Sequence, residues 1–260
     1  MILPGQTIGI LGGGQLGRMM AIAAREMGYR IAVLEPKKDS PCGQIADHEV
    51  ITAYDDRKGA RELAEISDVI TYEFENVDLE TAGWLENHAN LPQGSRLLQI
   101  TQDREFEKKA ITESGVPVAN YKIVRNDGEL HSAVEEIGFP SVLKTCRGGY
   151  DGKGQIVLKS EHDVEEARNG FVGKQKAILE QWVPFQKEIS VIVTRSVLDE
   201  IKTFPVAENI HRDNILHETI VPAKISREIQ QKATGIALQL AESFDLVGTL
   251  AVEMFLTEEG

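Results

Sequence analysis

Cysteine is scarce in this chain, with two among 260 residues, Cys42 and Cys146. They lie in different segments and offer no metal-ligand spacing, so neither a disulfide framework nor a cysteine-based metal site is expected. Long apolar runs are also missing. None approaches the ~20 residues that a membrane helix needs, so no membrane partner is expected. Met1-Ile-Leu-Pro-Gly-Gln6 lacks a basic n-region and a cleavage site, which points away from secretion and toward a cytoplasmic location. Positive charge is in deficit: 28 Lys and Arg face 41 Asp and Glu, a net charge of −13. A nucleic-acid backbone needs a basic footprint, so nucleic acid is not expected as the main partner. An anionic ligand must then be held by local cations and backbone N–H groups.

What is present is the composition of a globular protein, 42% hydrophobic and 27% charged, in a chain long enough for two compact units. Thr7–Leu11 predicts a buried strand. Gly12-Gly-Gly-Gln-Leu-Gly17 follows at once, then a helix over 18–27, Gly28, and a strand over 29–34. This is a βαβ unit with Gly12-x-Gly14-x-x-Gly17 where a dinucleotide would meet the helix N-terminus. Glu35, at the end of the second strand, is placed to take a ribose hydroxyl. The alternative is that the glycines make a tight turn and let helix and strand pack closely. The alternation continues through a strand at 48–52, a helix at 56–66, a strand at 68–72 and a helix at 78–87, which predicts an open parallel sheet. Ligands of such sheets sit beyond the carboxyl ends of the strands, where Glu73, Glu75 and Asn76 fall. Glu73 and Glu75 read equally as sugar-binding acids and as solvated loop acids. Periodicity is weak over 88–100, and a boundary is placed near residue 100.

The stretch with the most chemistry is Leu143–Gln155. Gly148, Gly149, Gly152 and Gly154 fall within seven residues, beside Arg147 and Lys153, after an apolar run that ends in Lys144. Glycine leaves backbone N–H groups open to an anion and permits positive φ. A plain hairpin turn is the alternative, but hairpins normally need two to five loop residues, so phosphate binding is the favoured reading. A helix opens at Thr101, the expected N-cap, and runs to Ser114. Further segments are a strand at 120–124, a helix at 127–137, a strand over 155–158 and a helix over 162–169. The strand expected over Ala177–Val183 suits an adenine, with backbone groups reading its edge and Trp182 and Val183 on its faces; an ordinary core strand fits as well. Strands follow at 188–193 and 201–206, then a polar turn over Asn209–Asn214, a strand over 215–221, an amphipathic helix over 226–244 and a strand over 248–257. His211 is placed to touch a phosphate or ribose, or is simply structural. By period two, Glu253 shares a face with Ala251 and Phe255. A carboxylate there needs a partner, either Mg²⁺ bridging phosphates or a salt bridge.

Lys144, the loop Gly149-Tyr-Asp-Gly-Lys-Gly-Gln155, Glu180-Gln-Trp-Val183, Glu188, His211 and Glu253, in that order, resemble the ATP-grasp ligases. Gly12-Gly-Gly-Gln-Leu-Gly-Arg-Met19, Tyr72-Glu-Phe-Glu-Asn76 and Gly148-Gly-Tyr-Asp-Gly-Lys-Gly-Gln155 narrow the resemblance to the N5-carboxyaminoimidazole ribonucleotide synthetases, across essentially the whole chain. The resemblance implies an α/β protein with a Rossmann-like parallel-sheet domain at 1–100 that does not bind NAD. An ATP-grasp fold of two α+β subdomains would follow, at 101–178 and 179–260. It implies that ATP, bicarbonate and aminoimidazole ribonucleotide give the N5-carboxy product, ADP and phosphate in purine biosynthesis. Arg104, Lys144, the residues from Gly149 to Gln155 (Tyr150, Asp151, Gly152, Lys153 and Gly154 between them), Glu180, Gln181, Trp182, Val183, Glu188 and His211 are then expected to bind ATP. Glu253 would hold Mg²⁺, or Mn²⁺ in its place. Tyr150, Asp151 and Lys153 are the expected catalytic residues, and Gln15, Leu16, Glu73 and Asn76 the expected substrate contacts. A homodimer, and a mutase that receives the product, are the expected partners.

The sequence departs from that family after Thr257-Glu-Glu-Gly260, where members continue into a second metal ligand and an Arg- and His-containing segment. These 260 residues alone are therefore not expected to be catalytically competent. Three rivals remain: a formate-using glycinamide ribonucleotide transformylase or another ATP-grasp ligase, an NAD-dependent oxidoreductase, and a non-catalytic nucleotide-binding module.

Overall fold

The computed structural model describes residues 2–148, 154–170, 175–258 and 260, without the side chains of 169 and 170. The chain divides into two compact units, Met1–Gln99 and Ile100–Gly260.

The first unit is built on four strands, β1 (Thr7–Leu11), β2 (Arg30–Leu34), β3 (His48–Val50) and β4 (Val69–Tyr72), in the order β3-β2-β1-β4. All neighbours are parallel, as alternation of strands with helices requires. The helices are α1 (Gln15–Glu26), α2 (Arg57–Ile66) and α3 (Leu79–His88). Successive strand residues point to opposite faces. Ile10, Ile31 and Val33 therefore pack with Ala21 and Ala24 of α1, while Leu11, Leu34 and Ile70 pack with Leu63 of α2 and Leu85 of α3. Burial on both faces explains the unbroken apolar run of Ile31–Leu34. Asp56 and Asp78 cap α2 and α3, accepting from the N–H of Lys58 and Thr81.

Two expectations at the junction need correction. The weakly periodic stretch 88–100 ends in a helix, α4 (Arg96–Thr101), held down by buried Leu98. Thr101 therefore closes α4 and does not cap the next helix. Asp103 is the N-cap of α5 (Arg104–Glu113), its carboxylate accepting from the Glu105 N–H at 3.1 Å.

The second unit holds two antiparallel sheets. One comprises β5 (Tyr121–Val124), β6 (Ser141–Thr145), β7 (Gln155–Leu158) and β8 (Ala177–Gln181), ordered β5-β8-β6-β7. It is covered by α6 (Asp127–Ile137) and α7 (Glu161–Gly170), whose Leu130, Val134, Val164 and Ala167 meet Leu143, Leu158 and Leu179. The other comprises β9 (Lys187–Arg195), β10 (Ile201–Thr203), β11 (Ala207–Arg212), β12 (Ile215–Ile220) and β13 (Gly248–Leu256), with α8 (Arg227–Ser243) packed on it. β13 pairs along the whole of β9. Ser226 caps α8, accepting from the Ile229 N–H at 3.2 Å.

Several strand limits differ from those expected, for physical reasons. Asn209–Arg212 belongs to β11; only Asp213 and Asn214 turn, with φ of 52° and 61°. A two-residue hairpin needs positive φ at both positions, which Asp and Asn tolerate. β11 is polar and half-buried along most of its length, and so resembled a turn. β10 stops at Thr203 rather than Val206, before Pro205, which has no N–H to give a ladder. β8 stops at Gln181, and Trp182 and Val183 lie beyond it. On β13, Glu253 sits on the exposed face with Thr249, Ala251 and Phe255, so the carboxylate is not buried.

Candidate functional site

The second unit gathers charge around the end of β6. The register places Val142 opposite Glu180 and Lys144 opposite Ile178, so Lys144 and Glu180 are diagonal neighbours on one face. Lys144 Nζ donates to Glu180 Oε2 at 2.8 Å, and Lys108 Nζ lies 3.5 Å from Oε1. Burial pushes the Glu180 carboxyl up, but Lys144, Lys108 and Arg104 hold it below the usual value. Burial raises the Glu107 carboxyl, against the pull of Arg104 and Lys108. Three cations thus face two carboxylates, a local excess of positive charge within a chain of net charge −13.

The same region ties down the glycine loop. β6 and β7 are an antiparallel pair, so the loop is a hairpin connection, though far longer than a tight turn. At its base Thr145 N–H donates to Gly154 O at 2.9 Å, and Arg104 N–H donates to Cys146 O at 2.9 Å. Buried Asp103 receives Lys176 Nζ at 2.9 Å and Arg147 Nε at 3.2 Å. Burial pushes its carboxyl up, but the hydrogen bonds from Lys176, Arg147 and the Glu105 N–H more than reverse this and hold it low. Gln155 lies opposite Lys144. Gly149, Tyr150, Asp151, Gly152 and Lys153 lie outside the described residues, and their expected roles stay expectations.

The open face of the second sheet carries the other group. Asn209 and Phe255 flank Glu188 in register, and Ser190 lies opposite Glu253. His211 Nδ1 is buried, 2.9 Å from Glu188 Oε2, and makes no hydrogen bond. Burial and the Glu253 charge raise the Glu188 carboxyl, while His211 and Lys144 oppose them. Lys144, Glu188, His211 and Glu253, drawn from two sheets, therefore share one electrostatic neighbourhood. Among the described residues no group of three or more His, Cys, Asp or Glu side chains is arranged to hold a metal by itself. Two mutually repelling carboxylates fit Mg²⁺, which takes one or two carboxylates and completes its shell with water and phosphate oxygens.

Beyond β8, Trp182 is 40% exposed and its backbone N–H donates to Pro140 O at 3.2 Å. With Phe139, Pro140, Val157 and Lys159 it lines an open pocket of about 340 Å³. Val183 is half-buried beside it.

In the first unit the glycine turn is occupied by the chain's own carboxylates. Gly13 N–H donates to Glu35 Oε2 at 2.9 Å, and the Tyr54 hydroxyl donates to the same oxygen at 2.5 Å. Gly14 N–H donates to Glu73 Oε1 at 2.6 Å, and Gly17 N–H donates to Glu73 Oε2. These amides and the helix dipole form an anion site, and Glu73 fills it. Glu35 is committed to Gly13 and Tyr54, not held out for a ribose. A Cβ at Gly17 would come within 2.7 Å of Gly12 O, so close packing explains the glycine spacing and the dinucleotide reading falls. Gln15 and Leu16, exposed in the first turn of α1, lie between the two amides that bind Glu73. Asn76 is not drawn in; its Nδ2 donates to Glu75 Oε1 at 3.1 Å.

Sequence reasoning passed over Lys108, Glu107, Asp103 and Lys176. The first two were findable, since 104, 107 and 108 share one helix face. The others need the fold, because Lys176 meets Asp103 only when β8 lies beside α5.

Two families match the chain: the ribonucleotide synthetase preATP-grasp domain over residues 5–102 and the ATP-grasp domain over residues 109–260. The N5-carboxyaminoimidazole ribonucleotide synthase of Bacillus subtilis is 59% identical over all 260 residues, which span 68% of that protein. Its counterpart from Brucella melitensis is 44% identical over 99% of the chain and 71% of its own length. A crystal structure of an N5-carboxyaminoimidazole ribonucleotide synthetase in complex with ADP superposes with a TM-score of 0.98 at 62% identity, covering 100% of this chain and 69% of that one. The Aspergillus clavatus synthase, solved with ADP and 5-aminoimidazole ribonucleotide, superposes at 0.91 with 29% identity, covering 99% of this chain and 68% of that one.

Proposed function

The chain belongs to the N5-carboxyaminoimidazole ribonucleotide synthase family of ATP-grasp ligases, and from that premise we propose that it serves the ATP-dependent carboxylation of 5-aminoimidazole ribonucleotide by bicarbonate. The observation that carries this reading is the cation cluster of Arg104, Lys108 and Lys144 around Glu180 at the base of the glycine loop, whose Lys144 also acts on Glu188, the neighbour of His211 and Glu253.

Bicarbonate is a poor electrophile. One of its oxygens attacks the γ-phosphorus of ATP, ADP leaves, and carboxyphosphate forms. Loss of phosphate then presents carbon dioxide to the amine, which gains the carboxyl and gives up a proton. Little covalent chemistry falls to the protein; its task is to spread phosphoryl charge and keep water out. In this reading Arg104 and Lys144 carry phosphate charge, while Gly149–Gln155, with Tyr150, Asp151 and Lys153, closes over it. Glu180–Val183 takes the adenine, beside the Trp182 pocket. Glu188 and His211 complete the nucleotide site. Glu253 would hold Mg²⁺, which when bound would neutralise phosphate charge. Gln15 and Leu16 contact the ribonucleotide, and Glu73 and Asn76 reach it by exchanging their present hydrogen bonds, with the Gly14 and Gly17 amides and with Glu75, for the ligand. Residues 1–100 form the preATP-grasp domain, 101–178 the smaller subdomain and 179–260 the larger. A cytoplasmic homodimer that passes its product to a mutase completes the proposal. Among the described residues no helix is long and apolar enough to cross a membrane.

The test is phosphate release from the full-length protein with ATP and bicarbonate, with and without aminoimidazole ribonucleotide, and with formate in place of bicarbonate. Stimulation by formate instead of bicarbonate would identify a formate-using ligase. Lys144→Ala is expected to raise the KM for ATP and lower kcat together. Unchanged substrate-dependent turnover in that variant would refute the assignment.

A further inference from the structure

Glu180 poses a problem that the ATP site alone does not resolve. Its side chain is 6% exposed. Lys144 satisfies one oxygen, and the other, Oε1, is buried with no hydrogen bond. If Lys144 is to serve phosphate oxygens, it must loosen its hold on Glu180. A buried carboxylate that loses its partner is strongly destabilised, and that cost would be subtracted from ATP binding. The bare oxygen, however, faces Lys108 Nζ at 3.5 Å. Lys108 lies one turn along α5 from Arg104, and its side chain is 17% exposed. From 3.5 Å it needs only a small rotamer adjustment to donate to Oε1.

We infer that Lys108 is a positioning residue for ATP binding, the standing counter-charge of Glu180 that frees Lys144 for the nucleotide phosphates. The inference rests on the reading above that Lys144 serves ATP. The arrangement explains why two lysines address one carboxylate. With only one, each ATP bound would strand Glu180. With two, the charge of the buried group stays balanced whether Lys144 points to the carboxylate or to the ligand. Arg104 and Glu107 adjoin the same cluster, and both act on Glu180 through space.

The experiment is a double-mutant cycle read by calorimetric ATP binding with Mg²⁺. It uses the wild-type protein, Lys108→Met, Lys108→Arg, Glu180→Gln and the Lys108→Met/Glu180→Gln double variant. Lys108→Met is expected to weaken ATP binding about tenfold or more, and Lys108→Arg to stay within about threefold of wild type. Once Glu180 is neutral there is nothing to balance, so adding Lys108→Met to Glu180→Gln is expected to change affinity by less than about threefold. An equal loss in both backgrounds would mean that Lys108 meets ATP directly, and overturns the inference. So does unchanged affinity in Lys108→Met. If Lys108→Met does not fold, the two proteins with neutral position 180 decide on the same threshold. Wild-type protein that binds no ATP would instead refute the underlying reading of the site.

Discussion

Replacing Asp103 by Ala tests how the glycine loop is anchored. Asp103 is 3% exposed and serves three partners: it caps α5 through the Glu105 N–H and receives Lys176 and Arg147. Losing an N-cap costs about 1 kcal/mol. Removing one member of a buried ion pair costs about 3–5 kcal/mol when the other stays buried. Here the stranded cations have outlets. Lys176 keeps Glu105 at 2.7 Å, and the Arg147 side chain is 60% exposed. The expected loss is therefore about 2–4 kcal/mol, below the simple sum. At about 2–4 °C per kcal/mol for a chain of this size, the melting midpoint should fall by roughly 4–16 °C. Urea unfolding at neutral pH measures the free-energy loss, with Asn126→Ala, an exposed N-cap on α6, as the comparison at about 1 kcal/mol. Equal losses from the two variants would refute the anchoring role. The pH dependence carries a sign. The Asp103 carboxyl is held below its ordinary 3.8 in the folded state, so its contribution is complete above that value and is lost as pH falls through the lower folded one. Asp103→Ala should therefore flatten the acid limb of the stability curve.

Glu73→Ala removes the carboxylate that holds the Gly14 and Gly17 amides. It should cost about 1 kcal/mol and speed hydrogen exchange at those two amides; unchanged exchange would show that the carboxylate does not hold them. Cys42 and Cys146 are buried thiols whose pKa burial raises to about 11. Neither should react with iodoacetamide at pH 8 until the chain unfolds. Because both are raised above the ordinary 9.0, stability should fall as pH rises from about 9 to 11. Rapid labelling of the native protein would contradict that burial.

Much of the fold was legible because local chemistry and periodicity agree. Gly28, Gly115 and Gly138 mark helix ends and adopt positive φ where the chain must turn out of a helix. Asp56, Asn126 and Ser226 precede helices and cap them. The errors fall where tertiary context overrides local pattern. The N-terminal stretch of α4 has weak periodicity and depends on Leu98. The strand β11 looks like a turn because it is polar and only half-buried. The Asp103 cap lies two residues past the Thr that a local reading selects.

The site divides in the same way. Lys144, His211 and Glu253 were singled out by residue type, since a phosphate site in an acidic chain needs local cations and a metal needs oxygen donors, whereas Glu180 and Glu188 came from the family resemblance. Their partnerships were not legible. Whether Glu35 faces a ligand or caps Gly13, whether Glu73 is free or fills the α1 anion site, and whether Glu180 has one lysine or two depend on distances between residues far apart in the chain. Sequence by itself determined which groups are available and which elements carry them, because propensity, capping and periodicity act over a few residues. Tertiary structure alone decided which charges meet, because a carboxylate's role is set by the amides and cations that packing brings within about 3 Å.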